Sequence, residues 1–369
     1  MAGVRPRVLV ITPDFPPAKG GIQLLSHRIV SSFRTLEPTV VTLGHPDAAA
    51  FDHGQALRIV RTRRSLGTRA FTILGLNVTA ISLALRERPD VVLSMHIVAS
   101  PAAALLRRQL GLPFVQYVHA KEVGARQRLA RFALTRADRV VAVSRYTRGV
   151  AMAAGAPGDR VALINPGVDV PVGARTEGPR IGPPTVVTIS RLEDRYKGHD
   201  VVLRALPLVR AEVPGVRWRI VGDGPLRPTL EDRARAIGLE NAVQFLGSVS
   251  DETRDQELAS ADAFCMVSRL PTGGFAGEGF GIVYLEANAH GLPVVAGAVG
   301  GATDAVVHGE TGLLVNPEDH VAVADALVAL LSDHELAGRL GRGGRARAES
   351  LTWEAAGRCV EAELQSLVA

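Results

Sequence analysis

Residues 272–301 read Thr-Gly-Gly-Phe-Ala-Gly-Glu-Gly-Phe-Gly-Ile-Val-Tyr-Leu-Glu-Ala-Asn-Ala-His-Gly-Leu-Pro-Val-Val-Ala-Gly-Ala-Val-Gly-Gly. The order is a glycine-rich loop, a helix and a short buried strand. The pattern predicts a helix from about Phe280 to Ala289, stopped by Gly291 just past its end. Leu292 to Ala296 is a brief apolar run, suited to a parallel strand covered on both faces. The N–H groups that begin such a helix, from Gly279 to Val283, bind anions, and a phosphate is the usual guest. Gly279 and Gly281 carry no side chain, so a ligand can approach the backbone there. At about 100° per residue, Ile282 and Val283 share the face of Glu286. Glu278 and Glu286 are then expected to border one pocket at the helix mouth. Their spacing alone fits a loop glutamate and a solvated helix glutamate equally well.

The rest of the chain repeats strand, loop and helix. Strands are expected at Arg7–Thr12, Pro38–Leu43, Arg58–Arg61, Val91–Ser94, Phe114–Val118 and Arg139–Ser144, and again at Thr185–Ser190, Arg217–Val221, Val243–Leu246 and Ala263–Ser268. Strands alternating with helices imply open parallel sheets, with ligands outside the strand C-termini. Residues 170–184 are rich in Pro and Gly without periodicity and read as a linker. The 369 residues suit two domains. At 47% apolar and 21% charged the composition is that of a soluble globular protein. The net charge of +5 permits an anionic partner. With 4% aromatic residues few side chains are available for base stacking, which argues against a nucleic-acid module. Cys265 and Cys359 form no metal-spaced cluster and suit a reducing cytoplasm. Met1 to Arg7 does not open a signal peptide, because Val8 to Thr12 is too short an apolar run.

Several strand exits carry chemistry. Pro13 to Gly21 follows the first strand and ends in Gly20-Gly21, an anion-cradle arrangement without Gly-x-Gly-x-x-Gly, so a dinucleotide enzyme loses ground. Arg191 and Lys197 follow the first strand of the second half. A guanidinium fork and an ammonium point charge together suit a diphosphate. Gly222-Asp-Gly-Pro225 and Gly247-Ser-Val-Ser250 follow the next two strands, and His119 follows Phe114–Val118. From His53 to Arg86 there are six arginines (Arg58, Arg61, Arg63, Arg64, Arg69, Arg86) and no acid. That segment reads either as basic surface beside a buried helix or as a patch for anionic lipid or a phosphorylated acceptor.

Glu-Gly-Phe-Gly-Ile from Glu278, Leu-Glu-Ala-x-Ala-x-Gly-x-Pro-Val-Val from Leu285, Gly-Gly-x-x-Asp-x-Val from Gly300 and Gly-x-Thr-Gly-Leu-Leu-Val from Gly309 together resemble the retaining nucleotide-sugar glycosyltransferases of family four. Asp14-Phe-Pro-Pro with Gly20-Gly-Ile-Gln23 resembles the family's donor-phosphate loop, and His119-x-x-Glu122 its histidine motif. Within the family, the phosphatidylinositol mannosyltransferase branch is most similar. Ser268 to Gly277 is a local variant of the pattern.

The resemblance implies an α/β protein with two Rossmann-like domains facing across a cleft, the GT-B type. Residues 1–169 would form the acceptor domain, 170–184 the linker, 185–350 the nucleotide-sugar domain, and 351–369 a helix crossing back to the first domain. The reaction would move a mannose- or glucose-type hexose from a GDP- or UDP-linked donor to a hydroxyl acceptor, with retention of configuration. Arg191 and Lys197 would clamp the diphosphate, His119 would lie beside the transferred sugar, and Glu278 would hold sugar hydroxyls. Gly20, Gly21, Gly222, Val249, Gly279, Phe280, Gly281, Ile282 and Val283 would line the donor site, Glu286 would hold the ribose, and Glu122 would face the acceptor. No Asp-x-Asp triplet occurs, so no obligatory metal and no cofactor are expected. The implied partners are the donor and a hydroxyl acceptor, lipid-linked or anionic, for a cytoplasmic enzyme at the inner membrane surface. A nucleotide-sugar epimerase, which would change the donor without a second substrate, and a non-catalytic sugar-binding protein are the alternatives.

Overall fold

The computed structural model describes residues 5–63, 68–173, 182–270 and 277–368. Arg64, linker residues 174–181 and loop residues 271–276 lie outside the described residues. The chain folds as two compact units, Met1–Gly167 with Thr352–Ala369, and Val168–Leu351.

The first unit holds a seven-stranded sheet of β1 (Arg7–Ile11), β2 (Glu37–Thr42), β3 (Arg58–Arg61), β4 (Val91–Ser94), β5 (Phe114–Val118), β6 (Arg139–Ala142) and β7 (Val161–Leu163), all parallel, in the order β3-β2-β1-β4-β5-β6-β7. β4 and β5 are buried along their whole length, as strands covered by helices on both faces must be. The second unit holds β8 (Thr185–Ile189), β9 (Arg217–Val221), β10 (Val243–Gly247), β11 (Ala263–Met266), β12 (Val294–Gly297) and β13 (Gly312–Val315), parallel in the order β10-β9-β8-β11-β12-β13. Counted within each sheet, the order is that of the doubly wound Rossmann fold. It reverses between β1 and β4 in one unit and between β8 and β11 in the other, and these are the places where the fold admits ligands.

Each unit has its own core. Leu9, Leu76, Phe114 and Leu134 lie in the first, and Leu206, Trp218, Ile220 and Leu327 in the second. The helix Trp353–Gln365 belongs to the first unit, where the Glu361 carboxylate accepts the backbone N–H groups of Arg34, Thr35 and Leu36 at 2.6–2.9 Å.

Candidate active site

The diphosphate candidates meet beyond the end of β8. The single turn Arg195–Lys197 delivers Lys197, whose Nζ donates to Glu278 Oε2 at 2.5 Å. Both side chains are 16% exposed. Burial opposes the Lys197 charge most strongly, but Glu278 and Tyr196 together outweigh it and hold the ammonium pKa above the ordinary lysine value. Arg191 is 66% exposed and pairs with Glu193 at 3.3 Å, yet its charge still acts on Lys197.

Backbone packing positions Glu278. Its carbonyl accepts the N–H of Gly301 at 2.8 Å, and a Cβ on Gly301 would stand 2.1 Å from Gly279 O. Only glycine fits there, which gives the Gly300-Gly301 pair a reason. The helix begins at Ile282 rather than Phe280, because Gly281 caps it in the left-handed region at φ 89°. Gly279 and Phe280 therefore precede the helix, and Phe280 is buried. The leading N–H groups belong to Ile282 and Val283, while Tyr284 donates back to Gly281 O at 3.0 Å. The following strand runs Val294–Gly297, later than expected.

Ile282, Val283 and Glu286 form the half-buried face of that helix. Glu286 pairs with Arg254 at 3.7 Å, so each carboxylate faces its own cation. Burial raises the Glu286 pKa, Arg254 lowers it in part, and Asp255, Asp169 and Asp251 add to the rise. Gly222 donates its N–H to Gly247 O at 2.8 Å, and a Cβ there would lie 1.9 Å from Ser190 O. Its glycine is thus explained by packing between strand exits. Val249 is half-buried just before Ser250, which caps the helix Asp251–Ser260.

In the first unit, Gly20 precedes the helix Gly21–Ser31, and Gly21 opens on free space. Gln23 Nε2 donates to Asp14 Oδ1 at 2.9 Å, tying that helix start to the loop after β1. A pocket of ≈ 330 Å³ opens at the β1/β4 switch, lined by Asp14, Arg69, Thr72, Ile73, His96 and Val98 among others. His96 Nδ1 accepts the N–H of Val98 at 3.1 Å, which places the imidazole proton on Nε2. Burial, with His119, Arg126 and Arg69 nearby, lowers the His96 pKa to about 3, so the ring stays neutral. His119 Nε2 donates to Met95 O at 2.9 Å, and its ring stacks on Tyr117. Its backbone N–H donates to the buried Glu122 carboxylate at 2.7 Å, so Glu122 holds the histidine's loop. The next residue, Ala120, sits at φ 79°, an uncommon conformation of the kind that gathers at functional sites.

The sequence reading missed His96 and the pocket role of Arg69. His96 had one weak signal, its place two residues past the end of β4. Within the segment His53–Arg86, two of the arginines are already paired inside the fold. Arg61 makes a bidentate pair with Asp52, bonds Leu43 O and Pro16 O, and is only 10% exposed. Arg58 pairs with Glu87.

Residues 183–333 match the family described as "Glycosyl transferases group 1", and residues 19–171 match "Glycosyltransferase Family 4". A Mycolicibacterium smegmatis protein described as a GDP-mannose-dependent alpha-(1-6)-phosphatidylinositol monomannoside mannosyltransferase is 36% identical over 359 residues, 92% of each chain. A Corynebacterium glutamicum protein described as the GDP-mannose-dependent monoacylated alpha-(1-6)-phosphatidylinositol monomannoside mannosyltransferase is 32% identical over 385 residues, 98% of each chain. Among solved structures, Anabaena HepE in complex with UDP and glucose superposes with a TM-score of 0.81 at 21% identity, covering 98% of this chain and 100% of that one. Sucrose-phosphate synthase from Thermosynechococcus elongatus gives 0.82 at 22% identity, covering 99% of both. These two likenesses carry the fold, two Rossmann-like domains.

Proposed function

The chain belongs to glycosyltransferase family 4, and on that premise we propose that it transfers mannose from GDP-mannose to a hydroxyl of a phosphatidylinositol mannoside, with retention. The epimerase and sugar-binding alternatives fall away with that membership. The observation that carries the chemistry is the Lys197–Glu278 pair just before the helix Ile282–Ala289. As the glycosidic bond breaks, negative charge grows on the leaving diphosphate. Lys197, Arg191 and the N–H groups of Ile282 and Val283 stabilise it, and a fixed donor of this kind is worth about 3–4 kcal/mol. Glu278 accepts from sugar hydroxyls, and Glu286 accepts from the ribose. Gly222 and Val249 border the nucleoside.

The acceptor occupies the β1/β4 pocket, where Arg69 meets a phosphate and His96 Nε2–H donates to an inositol or sugar oxygen. The acceptor hydroxyl attacks from the face the diphosphate leaves, and its proton passes to the departing phosphate oxygen. No cofactor or metal enters this scheme. A lipid-carried acceptor places the enzyme at the cytoplasmic membrane surface.

The test is nucleotide release from GDP-, UDP- and ADP-sugars, with and without phosphatidylinositol mannoside in detergent. GDP release from GDP-mannose that depends on the acceptor, with one hexose added to the lipid, is expected. Preferred use of another donor, or release indifferent to the lipid, would sink the reading.

A further inference from the structure

Three glutamates that lie mostly out of solvent take hydrogen bonds from the chain itself. Glu361 accepts backbone N–H groups, Glu122 accepts the N–H of His119, and Glu278 accepts Lys197. Glu286 differs. It stands in the second turn of the helix Ile282–Ala289 with its side chain 17% exposed. Among the described residues its carboxylate accepts no hydrogen bond, and Arg254 Nη1 stands 3.7 Å from its Oε1. At that distance the charges attract but no hydrogen bond forms. The carboxylate therefore keeps its lone-pair sites, about four of them, open. Acceptors this deep are normally satisfied, so open ones point to donors that arrive with a ligand.

An open carboxylate in this place needs a counter-charge to stay ionised. Arg254, on the helix Asp251–Ser260, faces Asp255 at 3.3 Å, Asp251 at 3.5 Å and Glu286 at 3.7 Å. Asp251 and Asp255 are 86% and 51% exposed, so water screens those pairs. Burial opposes the Arg254 charge most strongly, and of the carboxylates that offset it Glu286 acts first, although it is the farthest. Arg254 Nε is buried without a hydrogen bond among the described residues, so the side chain is not placed to complete its own bonding. The remaining charges do not help Glu286. Asp255, Asp169 and Asp251 all disfavour its ionisation. His290, on the same helix, lies near Asp255, and burial lowers its pKa. Asp304 stands on the helix Ala302–Ala305, which packs on this one. From the packed helix His334–Ser350, Arg345 is spent on the carbonyls of Ala289, Pro171 and Gly173, and Arg347 on those of Asp304 and Ala305. We propose that Arg254 is a positioning residue of the nucleotide site, keeping Glu286 ionised through space while leaving both carboxylate oxygens open to the vicinal hydroxyls of a ribose. The role rests on the assignment of Glu286 to the ribose.

Calorimetry on the full chain tests this with GDP and 2′,3′-dideoxy-GDP, titrated from acid to neutral pH. The wild type should prefer GDP by about tenfold or more, since only GDP brings hydroxyl donors to the carboxylate. Arg254→Gln should lower GDP affinity about fivefold at pH 7 and move its acid limb up by about one pH unit, because Glu286 then takes up a proton more readily. Affinity for the dideoxy nucleotide should not change. Arg254→Lys keeps the charge and should retain both the preference and the wild-type limb. In a Glu286→Gln background, Arg254→Gln should cost no further GDP affinity, which a purely structural pin between the two helices would not predict. Circular dichroism checks that each variant is folded. Equal wild-type affinity for the two nucleotides would fault the assignment of Glu286 to the ribose. A wild type that discriminates, with Arg254→Gln keeping the same preference and the same limb, would overturn the role of Arg254 alone. A loss shared by both nucleotides at every pH would overturn it too.

Discussion

Lys197→Ala, made both in the wild type and in a Glu278→Gln background, separates two roles for one ammonium group. Lys197 touches Glu278 at 2.5 Å, so it either neutralises that carboxylate or also serves the leaving diphosphate. Unit charges about 4 Å apart at an effective dielectric of about 20 attract by about 4 kcal/mol. A diphosphate gaining charge beside Lys197 is therefore stabilised on the scale of a fixed oxyanion donor, about 3–4 kcal/mol. That corresponds to a loss of about 10²–10³ in kcat when the charge is removed. The same loss should appear in both backgrounds, because the diphosphate is present in both. The stability cost should not be shared. In the wild type the variant strands a carboxylate that is only 16% exposed, and Tm should fall. In the Glu278→Gln background that penalty is absent, and Tm should change little. The assay is single-turnover GDP release at saturating donor, with a thermal melt of each of the four proteins. If the catalytic loss vanishes in the Glu278→Gln background, Lys197 serves only the carboxylate and the diphosphate assignment is wrong.

Glu286 links function to pH. Its folded-state pKa is raised, so its ionisation costs stability once the pH rises through that value. Glu286→Gln should therefore raise Tm at pH 7 while weakening GDP binding by calorimetry. In the wild type, GDP affinity should decline on acidification at a higher pH than for an ordinary glutamate, as the carboxylate takes up a proton. Gly222→Ala places a methyl 1.9 Å from Ser190 O at φ 130° and should cost about 3 kcal/mol or more in a denaturant melt. Glu361→Ala leaves three backbone N–H groups without their charged acceptor, and should cost about 3 kcal/mol and loosen hydrogen exchange at Arg34 to Leu36.

Much of this architecture was legible in the residues. β3, β4, β5 and β9 run over the residues expected of them, and β4 and β5 are buried along their whole length, as strands covered on both faces must be. β7 and β13 were not read as strands. One has only three residues, and the other starts on Gly312, so neither shows a clear run. The helix start at Ile282 was placed two residues early because backbone conformation at Gly281, not side-chain pattern, fixes it. Lys197 and Glu278 could be singled out through their motifs, although 81 positions separate them. His96 could not be singled out by its place past the end of β4 alone, since only the adjacency of β1 and β4 makes that position a pocket wall. Arg61 misled because its partner, Asp52, stands one residue outside the acid-free stretch.

The return of the helix Trp353–Gln365 to the first unit has a consequence for biosynthesis. The second unit is an insertion, with residues 168–351 contiguous and Val168 N–H closing on Leu351 O at 2.9 Å. The first unit is split, and its second piece leaves the ribosome only after the whole second unit. Domains fold as units during synthesis, so the second unit should complete first while the strands made earliest still wait for Glu361 to cap Arg34, Thr35 and Leu36. Ribosome-held chains ending at Leu351 should accordingly show a protease-resistant second unit and a sensitive first one, and equal resistance in both would contradict that order.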